Sequence, residues 1–155
     1  MPNLVHVGSH PAHVGVVERI DSAKQLTRSD SGKLFMCYQD SAADYVVNLP
    51  QLSTEIAGWH SKFILVDTAS DSGYDIQVLA YGLSEGGGAG TDANSVRVLV
   101  LKNNTSVVDN STGDGIEFTA SAIEEGCTVE VITDGTRWWA IGWAVGGTSI
   151  AIIAA

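Results

Sequence analysis

Basic residues are scarce in this chain. The 155 residues include 8 Lys and Arg against 18 Asp and Glu, which gives a formal net charge of −10. The eight cations are scattered between Arg19 and Arg137 and form no basic run. Binding to nucleic acid draws on several Lys and Arg side chains at the phosphates, and anionic membrane surfaces attract the same residues. We therefore expect no nucleic-acid partner and no membrane partner.

Cysteines and long apolar runs are also scarce. Cys37 and Cys127 are the only two cysteines, and two reduced thiols in the core are favoured over a disulfide between them. No uninterrupted apolar stretch approaches the roughly 20 residues that a transmembrane helix needs. The first residues contain no basic segment followed by an apolar one, so we expect no secretory leader.

Proline is rare, with 3 residues, whereas glycine is common, with 17, a balance that favours many turns between short strands. Runs rich in β-branched and aromatic residues recur between turn signals, and several alternate apolar with polar positions. Val129 and Val131, for example, oppose Glu130 across one strand. We predict an all-β chain, an antiparallel, jelly-roll-like β-sandwich formed by residues 23–155 as one domain. The ten predicted strands cover residues 33–39, 45–49, 62–67, 75–82, 95–102, 106–109, 115–120, 128–133, 137–144 and 148–153.

The first 22 residues are predicted to form an extended N-terminal arm. Three histidines, His6, His10 and His13, lie in this segment among glycine and proline, and only residues 14–20 resemble a strand. Such arms pack on a neighbour or stay loose, so deletion of residues 1–20 is expected to leave the domain folded. The only helical signal is in residues 49–58, where Pro50 and Gly58 could bracket one or two turns.

No catalytic or cofactor-binding motif is found. The glycine-rich residues 86–90 lack the Lys and the following helix that a phosphate loop requires. No Ser lies in a Gly-x-Ser-x-Gly turn, and neither cysteine has a catalytic signature. The arm histidines have no cysteine nearby to complete a zinc site. Two groups of turn aspartates match no calcium loop: Asp67, Asp71 and Asp75, and Asp109 and Asp114. We therefore expect no enzyme activity, no cofactor and no bound metal.

Three tryptophans lie close together near the end of the chain. On a strand, Trp138 points away from Trp139, and Trp139, Ile141 and Trp143 share the other face. Full burial of one Trp side chain removes about 150–250 Å² from water, a gross stabilisation of roughly 4–6 kcal/mol. One face must belong to the core. The other face has three possible roles: burial inside the same sandwich, a subunit interface, or a platform on which sugars stack.

Four segments resemble the jelly-roll β-domains of tailed-bacteriophage virion proteins, chiefly the capsid decoration (cement) proteins and some tail-fibre modules. They are LTRSDSGKLFMC at residues 26–37, VVNLP at residues 46–50, GWHSKFIL at residues 58–65 and CTVEVITDGTRWWAIG at residues 127–142. These motifs consist of turn and core signals, so they indicate a fold more directly than a role.

The resemblance implies a structural role in a virion. Decoration proteins of this kind are typically homotrimers seated on the outer surface of the capsid, so the implied partners are the major capsid protein and further copies of this chain. The implied location is the outer capsid surface, after synthesis in the host cytoplasm. The alternative is a receptor-binding or tail-fibre module that recognises host carbohydrate. Apolar residues of the arm, the tryptophan strand and the C-terminal tail are the interface candidates: Val14, Val16, Val17, Trp139, Trp143, Ile150 and Ile152.

Overall fold

Strands account for almost all of the regular structure. The computed structural model describes residues 16–39, 43–67, 74–83, 96–102, 105–119, 125–144 and 150–153, and helical structure there is limited to two single 3₁₀ turns, Arg28–Asp30 and Thr54–Ile56. The expected helical turn therefore occurs as the second of these. The twelve strands are β1 (Val17–Ile20), β2 (Lys24–Gln25), β3 (Leu34–Tyr38), β4 (Tyr45–Asn48), β5 (His60–Asp67), β6 (Ile76–Leu79), β7 (Val96–Lys102), β8 (Thr105–Gly113), β9 (Gly115–Phe118), β10 (Thr128–Thr133), β11 (Trp138–Ala144) and β12 (Ile150–Ile153).

The strands form two sheets around one hydrophobic core. The larger sheet has the order β1-β3-β5-β10-β11-β7-β8, and the smaller has the order β12-β9-β6-β4-β2. Phe35 and Phe63 stack in the core with ring centroids 5.2 Å apart, and Trp59 meets Trp138 edge to face at 5.3 Å. The prediction of an all-β chain is confirmed, and each of the ten predicted strands overlaps an observed strand.

The prediction of antiparallel pairing is not confirmed, because both sheets are mixed. The first six strands alternate between the two sheets, so β1, β3 and β5 are parallel neighbours in one sheet, and β2, β4 and β6 are parallel neighbours in the other. Parallel neighbours need a crossover connection. Here the intervening strand of the opposite sheet provides that connection. The antiparallel pairs are concentrated among the later strands, such as β10 with β11. A jelly-roll topology is likewise not confirmed.

Part of the expected N-terminal arm belongs to the larger sheet. Residues 1–15, including Val14, lie outside the described residues, but β1 pairs with β3, and Ile20 is buried in the core. Glu18 faces the open edge between the sheets. There it accepts a hydrogen bond from Lys24 and another, of 2.7 Å, from Lys33. Lys33 also donates to Asp30 at 2.6 Å, so four charged side chains close this edge of the sandwich.

Glycines act in two different ways in this fold. At the turn between β10 and β11, Gly135 has φ +90°, which fits the Asp-Gly turn signal in the sequence. Gly113 and Gly115 also lie in a predicted turn, but their φ values are not positive. A Cβ at Gly115 would lie 2.2 Å from the carbonyl oxygen of Val78, and one at Gly113 would lie 2.4 Å from that of Ile153. Glycine is therefore needed here because the chain passes from one sheet to the other in close contact with neighbouring backbone.

Candidate protein-binding surface

Strand β11 separates its side chains into a buried row and an exposed row. Trp138 and Ala140 are buried in the core, whereas Trp139, Ile141 and Trp143 are 46%, 48% and 53% exposed. We call these three exposed residues the ridge. Strand geometry places Trp139 about 13 Å from Trp143 along the strand. The side of β11 that carries Trp138 therefore packs into the core, and the side that carries Trp139 points away from the sandwich.

The strands beside β11 continue this exposed row across the sheet. Ile132 of β10 lies opposite Trp139, and Thr128 lies opposite Trp143. On the other side of β11, Leu99 lies beside Ile141 and Leu101 beside Trp143. We define the outer face as the outward side chains of five neighbouring strands: Leu34, Met36, His60, Lys62, Ile64, Thr128, Glu130, Ile132, Trp139, Ile141, Trp143, Arg97, Leu99 and Leu101. Most of these side chains are apolar, although this side of the sheet faces away from the core.

The ridge stands between two grooves. The larger groove, of about 480 Å³, lies on the β10 side, where Lys62, Ile132 and Gly32 are among its lining residues. The smaller groove, of about 270 Å³, lies on the β7 side and is lined by Arg97 and Leu99 among others. Trp139 and Ile141 line both grooves. The outer face therefore has relief, with a protruding apolar row and a depression on each side of it.

Few charges interrupt the outer face. Lys62 donates to Glu130 at 2.8 Å, and both side chains remain about half exposed, at 41% and 59%. Solvent screens such a pair strongly, so it contributes little to folding. Arg97, beside Trp139, forms no ion pair with the part of the chain that the structure describes. The charged groups of the outer face are thus Lys62 and Glu130, which pair with each other, and Arg97 beside the ridge.

Six of the seven predicted interface residues lie in the part of the chain that the structure describes, and they fall into three groups. Trp139 and Trp143 lie together on the ridge, and Val17 lies opposite Leu34 at the β1 edge of the same sheet side. Val16 precedes β1 and is 62% exposed. Ile150 and Ile152 do not join this surface. They belong to β12 in the smaller sheet, where Ile150 is buried at 2% exposure, and Ile152 is half-buried against the core.

Sequence reasoning left Ile132 and Ile141 out of the interface candidates, although both are about half exposed on the outer face. The alternation of β11 already places Ile141 in line with Trp139 and Trp143. Ile132 was harder to find because its position beside Trp139 depends on the pairing of β10 with β11. That pairing is signalled by the Asp134-Gly135 turn alone.

Groups suited to catalysis or metal binding do not converge in the described ranges. No three His, Cys, Asp or Glu side chains there are close enough to hold a metal ion. Asp71 and the side chains of Asp67 and Asp109 lie outside the described part of the structure, as do His6, His10 and His13. His60 is exposed at the start of β5, with its Nδ1 3.1 Å from the carbonyl oxygen of Gly58.

The two cysteines are free thiols in the core. Burial raises the pKa of Cys37 to about 12, so this thiol stays protonated and has little nucleophilic character. Glu117 in the smaller sheet is the other acidic group among the described residues whose pKa is raised. Its pKa is raised by burial first and then by the charge of Asp75, although it accepts a hydrogen bond from Gln77 at 2.8 Å.

Comparison with known proteins adds no identification. No family model, no curated protein and no solved structure matches this chain. No helix within the described residues is long and apolar enough to cross a membrane.

Proposed function

We propose that this chain is a virion structural protein, a decoration or cement protein that stabilises a phage head by binding the outer surface of the major capsid lattice as a homotrimer. The observation that supports this best is the outer face with its ridge of Trp139, Ile141 and Trp143. Large apolar side chains in a contiguous exposed group mark surfaces that contact other proteins. The resemblance to decoration proteins in four segments supports the viral assignment.

The energetics of the ridge are adequate for assembly. Trp139 and Trp143 still expose about half of their surface. Covering that half removes roughly 75–125 Å² per ring, a gross gain of roughly 2–3 kcal/mol each. Weak contacts of this size become strong when several are made at once on a fixed lattice, because the effective concentration of the remaining contacts is high. A cement role therefore requires neither a deep pocket nor a catalytic group.

The net charge of −10 is consistent with a position on the outside of a capsid. Packaged DNA would repel an acidic protein from the interior, and the charge keeps free copies soluble before they meet their partner. The exposed surface supports binding to another protein whether or not the topology is a jelly roll, and the resemblance supports the viral assignment.

The experiment is to locate the chain in purified phage particles by electron microscopy and to compare heads with and without it. We expect regular density on the outer capsid surface and a higher disruption temperature for the decorated heads. Density confined to the tail, or heads whose thermal stability is unchanged by adding the protein, would contradict the proposal.

A carbohydrate-binding fibre module is the second candidate. The specific observation in its favour is that two exposed tryptophans lie on one strand about 13 Å apart, a spacing at which separate sugar rings could stack on them. Glycan-array screening of the wild type and Trp143→Ala discriminates the two functions. A specific glycan signal that disappears in Trp143→Ala would favour the fibre module, and an array without specific signal favours the cement protein.

A further inference from the structure

Arg97 differs from most cations of this chain. The structure describes the side chains of seven of the eight Lys and Arg residues. Five of these form an ion pair with a carboxylate: Arg19, Lys24, Arg28, Lys33 and Lys62. Arg97 and Arg137 form none with the described part of the chain. Because the chain has 18 acidic residues, a shortage of carboxylates does not explain this difference.

The two unpaired arginines have different surroundings. Arg137 follows the turn between β10 and β11, where Asp134 accepts a hydrogen bond from the backbone N–H of Arg137 at 2.9 Å. A carboxylate is therefore already close to this cation and offsets part of its charge. Arg97 lies within the sheet, beside Trp139. The acid of the outer face, Glu130, is two strands away and is already paired with a lysine.

The groove around Arg97 is apolar. Arg97 is half-buried, and with Leu99, Trp139 and Ile141 it lines the smaller groove of about 270 Å³. A partner that covers the ridge would also remove water from this guanidinium. Burial of a cation without an acceptor is costly, and a guanidinium matches a carboxylate through two parallel N–H···O bonds. A protein that covers the ridge must therefore supply an acceptor at Arg97, and a carboxylate is the best one.

We propose that the capsid segment bound by the outer face is both acidic and apolar, with an aliphatic side chain in the smaller groove and a neighbouring Asp or Glu paired with Arg97. The inference rests on the proposed function, because that function places the capsid surface on the outer face. It makes Arg97 a specificity-determining residue that disfavours basic and purely apolar segments. The net charge of −10 does not prevent this pairing, since charges further than about 8 Å apart are largely screened at physiological ionic strength.

The first test compares Arg97→Gln with Arg28→Gln on purified heads. Both changes remove one positive charge, and Arg28 is an exposed residue outside the outer face whose ion pair with Glu55 is 3.7 Å long. The loss of a charge-assisted hydrogen bond should raise the dissociation constant of Arg97→Gln roughly 10- to 100-fold. Arg28→Gln should bind like the wild type, because exposed ion pairs contribute little.

A second variant guards against misfolding as the cause of weaker binding. Arg97→Lys keeps the positive charge and introduces an amine. A carbodiimide activates a carboxylate, and the amine displaces the activating group, which leaves as a urea, to form an amide. Peptide mapping of decorated heads should find an amide between position 97 and an Asp or Glu of the capsid protein, but none from position 28 in Arg28→Lys. No cross-link from position 97, or equal cross-linking from both positions, would overturn the inference.

Further outcomes separate this inference from the proposed function. If Trp143→Ala weakens binding to heads but Arg97→Gln does not, the inference fails and the cement role stands. If the wild type binds no heads, the cement role fails, and two peptides of alternating Leu and Glu or Leu and Gln then decide the inference. The Leu-Glu peptide should shift the indole N–H resonance of Trp139 in the wild type but not in Arg97→Gln. An equal response to both peptides, or none to either, would overturn the inference.

Discussion

The two tryptophans that meet in the core offer a matched pair of substitutions. Trp59 and Trp138 contact each other edge to face and are 2% and 0% exposed. The indole N–H of Trp59 donates to the carbonyl oxygen of Thr27 at 3.0 Å. The indole N–H of Trp138 has no hydrogen-bond acceptor among the residues that the structure describes. The same change to Phe therefore removes a satisfied donor at one position and an unsatisfied donor at the other.

Both Trp→Phe changes remove a similar volume, so their cavity costs should be similar. Trp59→Phe additionally loses a hydrogen bond, with a net cost of about 0.5–1.5 kcal/mol. The Thr27 carbonyl keeps a bond from the Asp30 N–H, at 3.1 Å, which limits this cost. Trp138→Phe instead removes a buried donor whose desolvation costs about 1–3 kcal/mol. We expect Trp59→Phe to be the less stable variant by about 2 kcal/mol.

Urea denaturation followed by far-ultraviolet circular dichroism measures this difference without relying on tryptophan fluorescence. With a slope of about 2 kcal/mol per molar urea, the midpoint of Trp59→Phe should lie about 1 M below that of Trp138→Phe. The two variants must be compared at one protein concentration, because self-association adds to apparent stability. Equal midpoints, or a lower midpoint for Trp138→Phe, would refute the assignment of a satisfied and an unsatisfied indole.

Three further predictions concern the backbone crossing, the charged edge and the first strand. Gly115→Ala should unfold at a much lower temperature than Gly142→Ala. The new Cβ lies 2.2 Å from a backbone oxygen in the first variant but 3.3 Å from a movable side chain in the second. Equal melting temperatures would contradict the close backbone contact at Gly115. Hydrogen bonds from Lys24 and then Lys33 lower the pKa of Glu18 below its ordinary 4.5, so this carboxylate contributes stability that is present above about pH 4.5 and is lost as the pH falls through the lowered value. Thermal melts at several pH values should therefore show a lower melting temperature for Glu18→Gln than for the wild type at neutral pH. This difference in melting temperature should shrink in acid, and a difference that is constant with pH would count against the role of the Glu18 hydrogen bonds to Lys24 and Lys33. Deletion of residues 1–20 should lower the melting temperature relative to deletion of residues 1–15, because Ile20 and the Glu18 contacts are lost only in the longer deletion; equal melting temperatures of the two truncations would show that β1 is dispensable.

Local sequence patterns were sufficient to predict the strands and several of the turns. Alternating and β-branched runs predicted segments that overlap ten of the observed strands, because side-chain direction along a strand depends only on neighbouring positions. The Asp134-Gly135 turn followed from the same local chemistry, since glycine accepts the positive φ found there. The division of the tryptophans into Trp138 on one face and Trp139 with Trp143 on the other was also contained in the sequence.

Only the tertiary structure decided how the strands pair and which face is buried. The parallel neighbours β1, β3 and β5 are brought together by strands in the opposite sheet, a long-range arrangement that no local pattern encodes. The pairing places Trp138 against Trp59 in the core and leaves the ridge outside. The same long-range pairing puts Ile150 of the apolar tail beside Phe118 of β9, inside the sandwich and not on its surface. Alternation makes two faces of a strand chemically distinct, but contacts between distant segments determine which of them meets water.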